Sequence, residues 1–293
     1  MNWKAIAADT TRDSLESLET LLWDQGAVSV TVTDAGDNPL YEPGPGQVPV
    51  WKKVTVTGLF EDDVDSDHIR DQLGVEGFDA IHVEDLGDRI WEREWLDKFK
   101  PMQFGQNLWI CPGGQEVEAH DAVVINLDPG LAFGTGTHPT TRLCLEWLDT
   151  QVLAGKCVID YGCGSGILGI AALLLGADRV IGVDNDSQAI TASRENALRN
   201  GVADRFEAGL PEEIHIEDGS ADIVVANILA NPLRQLSQKL IAMLNVRGHL
   251  VMSGIMSHQK SWVKESYQQY ILFQEDRELD DWICLAGEKQ NPL

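Results

Sequence analysis

Residues 158–168 read VIDYGCGSGIL, and this stretch decides which fold the chain can adopt. A short apolar run ends in an acid at Asp160, three glycines follow at alternating positions, and a second apolar segment then begins. Glycine at Gly162, Gly164 and Gly166 removes side chains where a strand turns into a helix, so a ligand can approach the backbone closely. The stretch therefore predicts a strand, a ligand-binding loop and a helix.

Strands and helices alternate after this loop. Strand patterns occupy residues 156–161, 179–184, 205–208, 222–227 and 249–253, and helical patterns occupy residues 165–175, 187–200, 232–244 and 261–270. Regular alternation of this kind is typical of a parallel sheet with helices on both faces.

The C-terminal segment departs from the alternation. Residues 271–278 and 282–287 both have strand patterns, and only about three residues separate them. So short a connection makes a hairpin, so one strand must run antiparallel. We expect a doubly wound, mostly parallel seven-stranded α/β sheet that ends in an antiparallel hairpin. This arrangement is associated with class I S-adenosylmethionine-dependent methyltransferases.

The first part of the chain has a different pattern. Its strand and helix periods predict the order βαββαβ, the ferredoxin-like arrangement of a small α+β module, and it contains no catalytic constellation. Aromatic residues at helical spacing in residues 89–99 predict a helix that links two domains. The predicted divisions are a ferredoxin-like domain over residues 1–86, a linker helix over residues 87–105 and a cofactor-binding domain over residues 106–293.

Two ligand classes can use the glycine loop, namely a dinucleotide such as NAD and S-adenosylmethionine. Residues 164–169 (GSGILG) match the dinucleotide fingerprint, but a lone match is weak, and a dinucleotide needs its pyrophosphate at the helix N-terminus. S-adenosylmethionine has no phosphate and carries a sulfonium and an ammonium group. An acid at Asp160 suits that cationic ligand better. Together with the hairpin, it favours S-adenosylmethionine.

Two further polar residues, Asp184 and Asn227, lie at the ends of predicted strands. Asp184 can accept hydrogen bonds from both hydroxyls of a ribose, as an acid does at this place in both ligand classes. Asn227 ends the strand predicted at residues 222–227, opposite the donor methyl in this architecture. Its amide can accept a hydrogen bond from a substrate amine. We therefore predict Asn227 as the catalytic residue and as a cofactor contact.

Residues 127–141 (LDPGLAFGTGTHPTT) precede the glycine loop, and they predict a glycine-rich segment that leads into a helix near Pro139. Such a segment can fold over a cofactor as a lid. The side chains that it offers are Phe133, Thr135, Thr137 and Thr141. His138 is the one histidine near it, and we do not expect it to act as a base because no partner is visible to orient it.

The composition excludes several classes of function. The chain has 47 acidic residues against 22 lysines and arginines, a formal net charge of −25. So negative a field repels a phosphate backbone and attracts a basic protein, so we expect no direct nucleic-acid binding. The alternative is an acidic surface that serves solubility in a salty cell.

Five cysteines without a C-x-x-C pair, together with scattered histidines, predict reduced thiols and no metal site. The N-terminus lacks the pattern of a signal peptide, and no apolar run is long enough to span a bilayer. We expect a cytoplasmic protein without a membrane segment. We also expect a monomer, because no exposed apolar heptad is present.

Three motifs together resemble the ribosomal protein L11 methyltransferase family. They are residues 127–141, residues 158–177 (VIDYGCGSGILGIAALLLGA) and residues 224–233 (VVANILANPL), and the resemblance covers essentially the whole chain. It implies a bacterial enzyme that uses S-adenosylmethionine to trimethylate lysine side chains and the N-terminal α-amino group of a basic ribosomal protein. It also implies that the N-terminal domain recognises that protein and swings relative to the catalytic domain.

The resemblance implies cofactor contacts at Thr141, Gly162, Asp184 and Asn227. The reasoning from the residues adds Asp160, Gly164 and Gly166 to the cofactor-binding set.

Other functions stay open at this point. One is a methyltransferase that acts on another basic protein or on an amide. Enzymes that methylate planar amides have Asn-Pro-Pro-Tyr at this strand end, whereas Ile228, Leu229 and Ala230 follow Asn227 here, which favours an aliphatic amine. The others are a nicotinamide-dependent oxidoreductase and a non-catalytic binding module that keeps the fold as a scaffold.

Overall fold

The computed structural model of the chain describes residues 3–36, 51–86, 101–111, 117, 121–127 and 138–291. The chain divides into two compact units, Met1–Glu92 and Arg93–Leu293. The smaller unit is built on an antiparallel sheet and the larger on a mostly parallel sheet. None of the helices in these ranges is long and apolar enough to cross a membrane.

The smaller unit has the order βαββαβ that the sequence predicts. Its elements are β1 (Trp3–Thr11), a 3₁₀ turn (Arg12–Ser14), α1 (Leu15–Asp24), β2 (Ser29–Asp34), β3 (Lys53–Glu61), α2 (Ser66–Val75) and β4 (Asp79–Leu86). The strands lie in the order β2-β3-β1-β4, and each neighbouring pair is antiparallel. This is the ferredoxin-like arrangement.

The core of this unit follows from residue periodicity. Buried positions alternate along β3, where Val54, Val56 and Phe60 are fully buried. Leu18 and Leu22 of α1 lie four residues apart on one helix face and join the same cluster. The apolar core therefore lies between the sheet and its helices.

The larger unit contains a small sheet and a central sheet. The small sheet consists of β5 (Met102–Phe104), β6 (Leu108–Cys111) and β7 (Val123–Asn126). The central strands are β8 (Cys157–Tyr161), β9 (Arg179–Val183), β10 (Phe206–Gly209), β11 (Ala221–Asn227), β12 (Leu244–Met256), β13 (Ile271–Phe273), β14 (Arg277–Leu279) and β15 (Trp282–Lys289). The helices of the described residues are α3 (Pro139–Asp149), α4 (Ile167–Leu174), α5 (Ser187–Arg199), α6 (Ala230–Gln235), α7 (Ser237–Met243) and α8 (Lys260–Lys264).

The central strand order places the ligand site. The order is β10-β9-β8-β11-β12-β15-β13, with β14 also paired to β15. Strands β8 to β12 run parallel, and β15 runs antiparallel to its neighbours, which confirms the mostly parallel sheet and the terminal hairpin. Strand order reverses at β8, which has β9 on one side and β11 on the other. Ligands bind at the carboxyl ends of strands at such a reversal.

Apolar layers cover both faces of the central sheet. Val158 of β8 belongs to one buried cluster and its neighbour Ile159 to the other. On β12, Val251 joins the first cluster, and Leu250 and Met252 join the second. Strands buried on both faces read as near-continuous apolar runs, which is the pattern of these segments.

The central sheet has eight strands, whereas the sequence predicts seven. The strand predicted at residues 271–278 is split into β13 and β14 by a bulge. Phe273 pairs with Gly287, and Arg277 pairs with Cys284, so three residues oppose two on β15. An extra residue of this kind breaks the ladder and bends the strand, and a period-two pattern does not reveal it.

The linker helix predicted over residues 87–105 lies mainly outside the described residues. The prediction of a helix is wrong for Met102–Phe104, which form β5 and pair with β6 in the small sheet. The predicted helix over residues 232–244 is two helices, α6 and α7, separated at Leu236. The predicted helix over residues 261–270 ends at Lys264 and continues as turns.

Replacing Leu250 tests the core of the central sheet. Leu250→Ala leaves a cavity at a fully buried position, and we expect the free energy of unfolding to fall by about 3 kcal/mol. Leu272→Ala is the matched control, because Leu272 is 63% exposed on the same sheet, and its effect should stay within about 0.5 kcal/mol. Urea denaturation measures both, and equal losses would contradict this description of the core.

Candidate active site

A cavity of about 460 Å³ opens at the carboxyl ends of β8, β9 and β11. Its lining consists of Thr141, Tyr161, Gly162, Cys163, Gly164, Ile167, Leu168, Val183, Asp184, Asn185, Pro211, Asn227, Ile228, Pro232 and Leu236. Five of the seven predicted site residues are in this lining. Asp160 and Gly166 are not, and they lie behind the loop and at the start of α4, respectively.

The loop after β8 is held against β9 and β11. The backbone N–H of Gly162 donates to the carbonyl oxygen of Val183 over 2.7 Å. Gly162 has a φ of 81°, which is strained for other residues, and a Cβ atom there would lie 2.2 Å from Cγ2 of Ile228. Glycine is therefore required at this position by both its backbone conformation and the space that Ile228 fills.

Gly166 serves packing rather than the cavity. It is the N-cap residue of α4, and a Cβ atom there would lie 2.9 Å from Cβ of Ser193. The third glycine thus allows α4 and α5 to approach closely. The sequence pattern assigns all three glycines to the cofactor-binding set, but only the fold shows that the third, Gly166, faces α5.

Asp160 is buried behind the loop, with its side chain 1% exposed. Its Oδ2 accepts a hydrogen bond from the backbone N–H of Gly169 over 2.9 Å. Its Oδ1 is buried without a hydrogen-bond partner among the described residues. Burial raises the pKa of this carboxyl to about 7, and the nearby Asp184 adds to the effect. Asp160 is therefore a carboxyl with one acceptor atom left unused.

Asp184 lies at the end of β9 and lines the cavity. Its Oδ2 accepts from the backbone N–H of Gly164 over 2.8 Å, and its Oδ1 accepts from that of Asp186 over 3.0 Å. The cap of α5 is Asp186, whose side chain accepts from the N–H of Gln188. Asp184 is thus free of the capping role and fixes the glycine loop while it faces the cavity.

Asn227 and Thr141 are brought together by the fold. Asn227 is the last residue of β11, and its Nδ2 donates to Oγ1 of Thr141 over 3.2 Å. Thr141 is 3% exposed in the first turn of α3. The other predicted lid residues, Phe133, Thr135 and Thr137, lie outside the described residues.

His138 has partners that the sequence does not reveal. Its Nδ1 accepts from the backbone N–H of Thr140 over 3.3 Å and lies 2.7 Å from the Oγ1 of the same residue. Its ring packs edge-on against Trp282, with the centroids 4.9 Å apart. Burial lowers the pKa of His138. These contacts make His138 the cap of α3, and the expectation that it is not the base stays a prediction.

Sequence reasoning missed most of the apolar wall. Tyr161 and Ile228 each directly follow a predicted site residue, so adjacency could have indicated them. The Tyr161 hydroxyl accepts from Nζ of Lys239 over 3.0 Å. Pro232 and Leu236 come from the segment after β11, and only the fold brings them to the cavity.

The parallel sheet with its terminal hairpin, the glycine loop at the strand reversal and the acids at the carboxyl ends of β8 and β9 define a class I methyltransferase fold. A family model described as "Ribosomal protein L11 methyltransferase (PrmA)" matches residues 2–290. The chain therefore belongs to the ribosomal protein L11 methyltransferase family, and the resemblance drawn from the three motifs is confirmed.

Individual relatives agree with this assignment. The ribosomal protein L11 methyltransferase of Marinobacter nauticus is 49% identical over 302 residues, covering 99% of this chain and 100% of that protein. The one of Vibrio cholerae is 50% identical over 295 residues, covering 99% of each. The crystal structure of ribosomal protein L11 methylase from Lactobacillus delbrueckii subsp. bulgaricus has a TM-score of 0.58 and 32% identity, covering 66% of this chain and 100% of that one. The protein is accordingly a methyltransferase.

The buried carboxyl of Asp160 should make stability depend on pH. Its pKa is about 7 in the folded chain and near 4 when unfolded, so it contributes stability that is full below about pH 4 and lost as the pH rises through about 7. The slope is at most about 1.4 kcal/mol per pH unit. In urea denaturation, the free energy of unfolding of wild type minus that of Asp160→Asn should therefore fall between about pH 5 and pH 7.5. A constant difference would contradict the raised pKa.

Proposed function

We propose that this protein transfers methyl groups from S-adenosylmethionine to lysine side chains and to the N-terminal α-amino group of ribosomal protein L11. Family membership and the names of the relatives support the substrate. The observation that carries the proposal is the cavity itself. Its lining includes Asp184, the glycine loop after β8 and the Asn227 amide at the end of β11.

The residues around the loop fit a cationic cofactor. Asp160 is buried behind the glycine loop and outside the cavity lining, so it favours a cationic methionine moiety by charge at a distance rather than by direct contact. Asp184 offers a carboxylate to ribose hydroxyls. No lysine or arginine is among the described lining residues, and Lys239 contacts that lining at the Tyr161 hydroxyl. A pyrophosphate would therefore find two acids near the loop and no positive side chain in the described lining itself. The same features weigh against a nicotinamide dinucleotide.

When bound, S-adenosylmethionine supplies an electrophilic methyl group on a sulfonium centre. The apolar lining, including Ile167, Leu168 and Pro211, excludes water from the cavity. Asp184 and the backbone of Gly162 and Gly164 hold the ligand in place. The contribution of these residues to the rate is positioning.

The acceptor amine must be neutral to act as a nucleophile. A lysine with a pKa near 10.4 loses its proton at pH 7 at a cost of roughly 4.6 kcal/mol, and an α-amine near 7.8 at about 1 kcal/mol. Desolvation and a neighbouring cation lower the pKa of an amine further. A dedicated base is then unnecessary, and no histidine is among the described lining residues. Asn227 orients the amine by accepting one of its N–H groups.

The chain after Asn227 supports an aliphatic acceptor. Ile228 lines the cavity, and Leu229 is 42% exposed beside it in sequence. Neither offers an aromatic face on which a planar amide could stack. A lysine or α-amino group needs no such face, so the alternative of an amide acceptor has less support.

We further propose that the N-terminal unit recognises the substrate. A groove of about 890 Å³ runs beside α1 in this unit. Its acidic lining residues are Asp9, Asp13, Glu16, Asp24 and Glu76. A basic ribosomal protein complements these carboxylates and the net charge of −25, whereas a nucleic acid does not. The cytoplasmic location and the monomeric state remain predictions from the sequence.

Gly162→Ala tests the cofactor cradle. The new Cβ atom would collide with Ile228 at a backbone conformation with a φ of 81°, so we expect affinity for S-adenosylhomocysteine to fall by about tenfold or more. Gly201→Ala is the matched control, since Gly201 has a φ of 67° with nothing near its Cβ position. It should lose stability but keep affinity, as measured by calorimetric titration. Equal affinity in both variants would refute the cradle.

The proposed reaction is tested by the intact mass of unmethylated ribosomal protein L11 after incubation with the protein and S-adenosylmethionine. We expect the mass to rise in methyl increments, and Asn227→Ala to lower kcat by about tenfold through loss of the hydrogen bond to the amine. Asn231→Ala, in α6 and outside the cavity lining, should leave kcat unchanged.

Two outcomes would contradict this proposal in different ways. If S-adenosylhomocysteine raises the Tm but the mass of L11 stays constant, the cofactor is right and the substrate wrong. If neither changes, the methyl donor is wrong as well.

A further inference from the structure

We propose that Thr141 is a positioning residue that restricts the side-chain torsions of Asn227 at the cavity wall. The inference rests on the proposed function and deepens it. Oγ1 of Thr141, on α3, accepts the Nδ2–H of Asn227, at the end of β11, over 3.2 Å. The carbonyl end of the amide is then the end offered to the substrate amine.

The orientation of an amide matters for this reaction. The side chain of Asn227 has an acceptor oxygen at one end and a donor NH2 group at the other. A neutral amine needs acceptors for its N–H groups and must keep its lone pair free to react. If the amide turned over, its NH2 group would donate to that lone pair and suppress the nucleophile. A partner that restricts the side-chain torsions, with Nδ2 toward Thr141, therefore raises kcat.

The backbone at Asn227 is already fixed from both sides. Its neighbour Ile228 fills the space over Gly162, where a Cβ atom would lie 2.2 Å from its Cγ2. The carbonyl oxygen of Ile228 lies 2.3 Å from the Cβ position of Gly254, whose φ is 83°. Asn227 also pairs with Ser253 on β12. Only the side-chain torsions of Asn227 are left to be set.

Thr141 is a rigid partner for that side chain. It is 3% exposed, and its backbone N–H donates to the carbonyl oxygen of His138 over 3.1 Å. His138 in turn caps α3 and packs against Trp282 of β15. The Oγ1 atom of Thr141 is thus carried on a helix turn that is anchored to the sheet.

Within the described residues, the Thr141 contact is the hydrogen bond that the Asn227 side chain makes. With Nδ2 engaged, Oδ1 is the polar end of the amide available in the cavity that Asn227 lines. The role is distinct from the direct cofactor contact that the family resemblance implies for Thr141. A cofactor contact alone governs the KM for S-adenosylmethionine, whereas a positioning contact governs kcat.

The test compares the kcat and the KM for S-adenosylmethionine of five variants in the methylation of L11. Thr141→Val keeps the shape and removes the acceptor, and Thr141→Ser restores it. Thr150→Val is the matched control, because Thr150 lies at the other end of the same helix, where its Oγ1 donates to the carbonyl oxygen of Trp147. Asn227→Ala and the double variant Thr141→Val with Asn227→Ala complete a mutant cycle.

We expect Thr141→Val to lower kcat by about fivefold, Thr141→Ser to recover it, and Thr150→Val to leave it unchanged. The double variant should match Asn227→Ala, since Thr141 acts through that residue. Thr141→Ala replaces the valine variant if the latter does not melt cooperatively.

An unchanged kcat with a raised KM for S-adenosylmethionine would overturn the inference and reduce Thr141 to a cofactor contact. Multiplicative losses of kcat in the double variant would overturn it as well, because the two residues would then act independently. If wild-type protein methylates nothing, the proposed function fails, and the inference falls with it.

Discussion

The site depends on the way Ile228 fills the space left by two glycines. Gly162 after β8 and Gly254 within β12 both have positive φ values, and Ile228 occupies the positions where their side chains would be. This contact joins the carboxyl ends of three neighbouring strands. It keeps Ile228 packed against the glycine loop and places the preceding residue, Asn227, at the cavity wall. The side chain of Ile228 thus requires glycine at Gly162, and its backbone requires glycine at Gly254.

Electrostatics gives the cavity its second constraint. Desolvation works against a charge on Asp160, yet this acid is kept beside a loop whose other polar anchor, Asp184, is also an acid. Burial of a carboxyl is costly unless it gains a partner. Burial also raises the pKa of Cys163 in the same lining, so its thiol stays neutral and unreactive.

The alternation of strands and helices, the terminal hairpin and the βαββαβ order follow from residue periodicity and are all present in the structure. Local sequence also indicates Gly162 and Gly164 in the loop after β8 and Asp184 and Asn227 at strand ends, whereas the cofactor contact at Thr141 is implied by the family resemblance. The bulge between β13 and β14 is invisible to a period-two pattern. Local sequence also cannot reveal that Leu236 lines the cavity or that Asn227 donates a hydrogen bond to Thr141, because these contacts join residues far apart in sequence.

Calorimetric titration of the wild-type protein with S-adenosylhomocysteine and with NAD⁺ tests the central claim, that the cavity between β8, β9 and β11 holds a methyl donor. We expect S-adenosylhomocysteine to bind with one site per chain and to be displaced by S-adenosylmethionine, and NAD⁺ to give no heat of binding. Saturable binding of NAD⁺ without binding of S-adenosylhomocysteine would contradict the account.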